Sequence, residues 1–73
     1  MRDPKRIMPF VHRVGLAWAT MPEQRFGQLI TNFFLWLEEQ GKDPFYLEDA
    51  DLLERYEAFV NQFTDYRAPE IRA

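Results

Sequence analysis

Apolar side chains recur every three to four residues along three stretches of this chain, and prolines and glycines fall between the stretches. No segment alternates at period two for long enough to read as a strand. The pattern predicts an all-α protein, a compact three-helix domain. A single amphipathic helix leaves its stripe in water, whereas three helices with short connections can bury theirs on one shared core.

The first stretch opens with Asp3-Pro4, which reads as a helix cap followed by a first helical residue. Pro9 then intrudes, and a proline inside a helix removes one ladder bond and crowds the preceding turn. The expectation is a short turn over residues 4–8 and a helix over about 9–19. Ile7, Phe10, Val11, Val14, Ala17, Trp18 and Met21 fall within roughly a 120° arc, with Leu16 nearly opposite. The second stretch opens with Thr20-Met21-Pro22-Glu23, a capping-box pattern with proline in the first turn, and stops at Gly41. A helix over about 22–40 follows. Phe26, Leu29, Ile30, Phe33, Phe34, Trp36 and Leu37 cover roughly 160° of it, as expected for a central helix buried against two neighbours. Leu35 points to its polar side. The third stretch follows the turn-like link Asp43-Pro44-Phe45-Tyr46, with Glu48, Asp49 and Asp51 where a helix dipole favours negative charge. Leu52, Leu53, Tyr56, Phe59, Val60 and Phe63 share one face of a helix over about 49–64. Residues 1–66 are expected to form one domain, and 67–73 a flexible polar tail that includes no core position.

The chain is 73 residues long, which allows one domain. Domains of roughly 70–80 residues or fewer have only a few kcal/mol to spare from a single core. Cysteine is absent, so disulfides, thiol nucleophiles, iron–sulfur clusters and Cys-type zinc sites are excluded. Twelve aromatic residues remain as the means of stabilisation, through dense packing, a partner, or both. Serine is also absent and His12 is the single histidine, placed on the face away from the first apolar stripe. Thr20, Thr31 and Thr64 are the hydroxyls available, and His12 reads as a solvated histidine rather than their base. Asp43 to Glu54 has the length of an EF-hand loop, but Phe45 and Leu47 stand at ligand positions and Glu48 where glycine is needed. The expectation is therefore no enzyme, no cofactor and no metal.

Charge is unevenly distributed. Residues 1–25 carry a net +3, residues 26–66 a net −7 and residues 67–73 a net +1. Arg2, Lys5, Arg6, Arg13 and Arg25 could meet phosphates. The third helix, however, carries Asp49, Asp51, Glu54 and Glu57 against only Arg55, which disfavours nucleic acid as the partner. No apolar run approaches the roughly 20 residues a membrane span needs, and no targeting pattern is recognised, so a cytoplasmic location is expected.

One extended pattern stands out: Trp18-x-x-x-Pro22-x-x-Arg25-x-Gly27-Gln28-Leu29-Ile30-x-Asn32, then Asp43-Pro44-Phe45-Tyr46-x-Glu48-Asp49-x-x-Leu52-Leu53, with Arg2-Asp3-Pro4-x-Arg6-Ile7 at the start. In these residues the chain resembles a small family of bacterial and phage-encoded proteins that has no assigned biochemical function. The resemblance covers about residues 2–54. It implies a small standalone helical protein, often carried by mobile or phage DNA, and not an enzyme.

Read physically, Gly27 inside a helix calls for a close approach by backbone or an aromatic ring. Gln28 and Asn32 are one turn apart and within reach of each other, with Arg25 a turn before them. Phe45 and Tyr46 could fold over the junction of the first two helices, with Glu48 or Asp49 meeting Arg25. The group then acts either as a structural clasp or as a recognition surface. Candidate contact residues are Arg25, Gln28, Asn32, Phe45 and Tyr46, the off-stripe Leu16 and Leu35, and Tyr66 beyond the third helix. The expected function is a small non-catalytic protein-interaction module, a regulatory or accessory protein of bacterial or phage origin. Its partner is a protein or a second copy. The alternatives are a nucleic-acid-associated protein using the basic amino-terminal third, and a structural homodimer formed through the wide face of the second helix.

Overall fold

A computed structural model describes residues 2–68. Its elements are a 3₁₀ turn at Pro4–Arg6, helix α1 (Ile7–Trp18), helix α2 (Phe26–Glu39), a second 3₁₀ turn at Pro44–Tyr46, and helix α3 (Asp49–Asn61). The three-helix, all-α architecture is the one the periodicity predicts. Residues 69–73 of the expected tail lie outside the described residues.

The boundaries differ from expectation for local reasons. Asp3 caps the first turn by accepting the Lys5 amide at 2.8 Å, and that turn runs directly into α1. Pro9 does not delay the helix, because it is only the third residue of α1. An amide there lacks an intrahelical acceptor in any case. The Thr20–Glu23 capping box does not form. The Thr20 hydroxyl donates instead to the Ala17 carbonyl at 2.6 Å, finishing α1 rather than starting α2. Residues 21–24 form a turn held by the Trp18 indole N–H, which donates to the Gln24 carbonyl at 2.8 Å. Helix α2 therefore starts at Phe26, where the Gln28 side chain accepts the Arg25 amide at 2.9 Å. Its far end does follow expectation. Gly41 has φ +72°, the Lys42 amide returns to the Leu37 carbonyl and the Gly41 amide to the Glu38 carbonyl, which together make a Schellman termination. Helix α3 stops at Asn61 rather than near residue 64, because the chain turns back. The Thr64 hydroxyl accepts the Tyr66 backbone N–H, and the Asn61 side-chain Nδ2 donates to the Tyr66 carbonyl at 2.6 Å.

Helices α1 and α3 run parallel, linked at Arg6–Asp49, Arg13–Glu57, Val14–Tyr56 and Thr20–Thr64. The core draws Leu29, Phe33 and Leu37 from α2 and Leu53, Tyr56, Phe59 and Val60 from α3. Only Ala17 of α1 is fully enclosed, and its small side chain lets that helix lie close. Phe33 is the centre of an aromatic cluster, with ring centroids 5.4 Å from Tyr56 and 5.6 Å from Phe59.

The wide face expected to be buried on α2 is only partly so. Phe26 and Phe34 stay exposed, as do Ile7 and Val11 of α1 and Phe63 after α3. Gly27 has no close neighbour, and a Cβ there would meet open space, so the expected close approach is absent. Tyr66, expected outside the core, is buried. Glu57, one of the acidic residues of α3, is only 6 % exposed.

Candidate functional site

The two features of α2 and α1 just described combine into a groove. Helices α1 and α2 both pack against α3, and the groove lies between them. Phe10, Val14 and Trp18 form one wall and Phe26, Ile30 and Phe34 the other. Phe33, Leu52 and Tyr56 form the floor. The groove has a volume of about 330 Å³. Trp18 and Phe26 close one end with ring centroids 5.3 Å apart.

Among the described residues no charged side chain lines it. The two side-chain polar groups that do are already engaged: the Trp18 N–H on Gln24, and the Tyr56 hydroxyl, which donates to the Val14 carbonyl at 3.0 Å. Burial, helped by the nearby Glu57 charge, pushes the Tyr56 phenol up to about 12. Such a group holds its proton at neutral pH and serves structure. The groove offers shape and apolar contact and no proton-transfer group, a chemistry suited to binding another apolar surface.

A second assembly lies on the opposite face of the α1–α3 pair. Arg13 Nε donates to Glu57 Oε2 at 3.1 Å while Nη2 donates to Oε1, a bidentate pair. The Tyr66 hydroxyl donates to Glu57 Oε2 at 2.8 Å. The hydrogen bond to Glu57 raises the Arg13 pKa. Burial, then the bond to Glu57, pushes the Tyr66 phenol up to about 12. Every carboxylate oxygen of Glu57 has a partner, so the group is a satisfied structural ion pair. Pattern reading missed it because Glu57 sits among other acidic residues. The one legible hint was a tyrosine following a helix end by a few residues.

The expected motif group separates. Gln28 caps α2 through the Arg25 amide, and Asn32 sits apart, in a shallow depression that also includes Leu35 and Trp36. Among the described residues Arg25 makes no ion pair; Glu48 and Asp49 pair instead with Arg2 at 3.4 Å and Arg6 at 2.6 Å. Phe45 and Tyr46 do not fold over the α1–α2 junction. They project at 82 % and 79 % exposure, edge to face with centroids 4.9 Å apart. Pro44 and the Phe45 amide, which donates to Asp43 Oδ1 at 2.9 Å, hold their turn. Leu16 is exposed on α1, away from this pair.

Comparison of the chain with protein-family models, curated proteins and solved structures gives no match. Among the described residues no three His, Cys, Asp or Glu side chains converge as metal ligands, and no helix is long and apolar enough to cross a membrane.

Proposed function

We propose that this chain is a non-catalytic protein-interaction module, a cytoplasmic accessory or regulatory protein of bacterial or phage origin, acting through the groove between α1 and α2. The observation that carries this reading is a groove whose free surface is apolar among the described residues, with Phe26 and Phe34 exposed along it. Helix-in-groove and aromatic-anchor docking both use surfaces of this kind. The bacterial or phage origin rests on the motif running from Arg2 to Leu53. Nucleic-acid binding has less to draw on, since Arg2, Arg6 and Arg13 already hold carboxylates of α3 and its border.

The test is affinity capture from a bacterial host lysate with the wild-type chain and a Phe34→Lys variant in parallel. A partner retained by the first and lost by the second supports the reading. Equal recovery by both removes the groove from it.

A further inference from the structure

We propose that the groove is occupied by a second copy of this chain, each copy inserting its Phe45–Tyr46 pair into the groove of the other. This rests on the interaction-module reading and names its partner. An occupant must be apolar where it touches, because the groove carries no charge and no unengaged side-chain donor or acceptor. The chain itself carries a projection that meets this requirement when the Phe45 ring enters and the Tyr46 ring lies against the groove with its hydroxyl at the wet mouth. Among the described residues Phe45 and Tyr46 are the two most exposed large apolar side chains. They are pre-ordered on a turn capped by Asp43 and anchored by Leu47, which packs on the core. Little freedom is lost on docking a group already held in place.

Projection and groove are continuous. Phe34 lines the groove and also the shallow depression that holds Leu35, Lys42, Asp43 and Pro44 at the base of the projection. Groove and projection are thus neighbours on the surface through Phe34 and Pro44, and a closed two-fold pairing uses such a continuous patch on both copies. The depression mixes Lys42 with Glu38 and Asp43, so like charges need not meet across the axis.

The area argues in the same direction. At ordinary aromatic areas the exposed Phe45 and Tyr46 offer roughly 300 Å² and the exposed parts of Phe26 and Phe34 roughly 170 Å² more. A stable interface takes about 800 Å² from each partner. The groove alone falls far short; groove and projection together supply more than half of it, and the polar rim must supply the rest.

Gly15 supplies the decisive variant. It lines the groove, and a Cβ there meets nothing within 4 Å, so the backbone accepts a side chain and Gly15→Leu is expected to narrow the groove. The experiment is sedimentation equilibrium of the wild-type chain, of Gly15→Leu, and of the Phe45→Ala/Tyr46→Ala double variant, with circular dichroism confirming that each is folded. The wild type is expected to dimerise, and each variant to weaken dimerisation by at least about tenfold. An equimolar mixture of the two variants regains one insertion, so a mixed dimer exceeds either variant alone. A wild-type dimer indifferent to both changes overturns the proposal. A monomeric wild type also overturns it. In that case a Leu/Lys amphipathic helical peptide is titrated while the combined fluorescence of Trp18 and Trp36 is read. A response leaves the interaction-module reading standing with another occupant, and no response removes both.

Discussion

Tyr66 reaches back from beyond α3 to donate its hydroxyl to Glu57 Oε2 at 2.8 Å, completing a carboxylate that Arg13 grips with two donors. The Arg13 side chain is 23 % exposed and that of Glu57 only 7 %. Removing the carboxylate lets Arg13 turn to water, so Glu57→Ala should cost near the lower end of the roughly 3–5 kcal/mol typical of a broken buried pair. Tyr66→Phe removes one bond to a carboxylate still held by Arg13, and should cost about 1–2 kcal/mol. Urea unfolding at neutral pH measures both. A Glu57→Ala loss below that of Tyr66→Phe would mean the pair adds nothing beyond packing.

Alkaline pH should unfold the protein. The phenols of Tyr56 and Tyr66 are pushed up to about 12, chiefly by burial. Their folded pKa lies above the unfolded value of about 10, so the stability they contribute is fully present below pH ~10 and is lost as pH rises through ~12. Ultraviolet titration in a Tyr46→Phe background isolates the two buried phenols. Tyrosinate absorbance should rise together with the loss of helical circular dichroism. Ionisation completed well before unfolding would contradict the burial argument.

Two glycines should respond to alanine with opposite signs. Gly41 has a left-handed φ of +72°, so Gly41→Ala should destabilise by about 1 kcal/mol. Gly15 lies inside α1, where a Cβ meets nothing, so Gly15→Ala should stabilise by about 0.5–1 kcal/mol. Thermal melts of the two variants beside the wild type decide this, and the same sign for both would be the adverse result.

The aromatic residues should divide sharply. Phe33 is enclosed by rings from α2 and α3, and Phe33→Ala should cost about 3–5 kcal/mol, enough to unfold so small a domain. Phe45→Ala touches only a projecting pair and should shift stability by about 0.5 kcal/mol or less at concentrations where the chain is monomeric. Comparable losses at the two positions would overturn the assignment of core and surface.

The helices and most of the core were legible because the apolar spacing of Leu29, Phe33 and Leu37, and of Leu53, Tyr56 and Val60, is a local property. The stop at Gly41 was legible for the same reason. Other features depended on tertiary partners. Thr20 matched a cap for the next helix as well as a stop for the previous one, and only the Trp18–Gln24 bond decides between them. Glu57 looked like its acidic neighbours until Arg13 and Tyr66 are brought beside it. At the candidate site, Phe45 and Tyr46 were singled out, whereas the groove itself was not. A stripe records which residues face inward, and it does not record how far two helices splay.

The parallel pairing of α1 with α3 has a consequence for synthesis. Its polar links join residues 42 to 44 positions apart. A nascent chain that has completed α1 and α2 therefore holds two adhesive helices with no third to receive them, and Arg13 waits for Glu57 and Tyr66 to leave the ribosome. Folding of the domain is expected only after translation has passed Tyr66, in one late step rather than helix by helix.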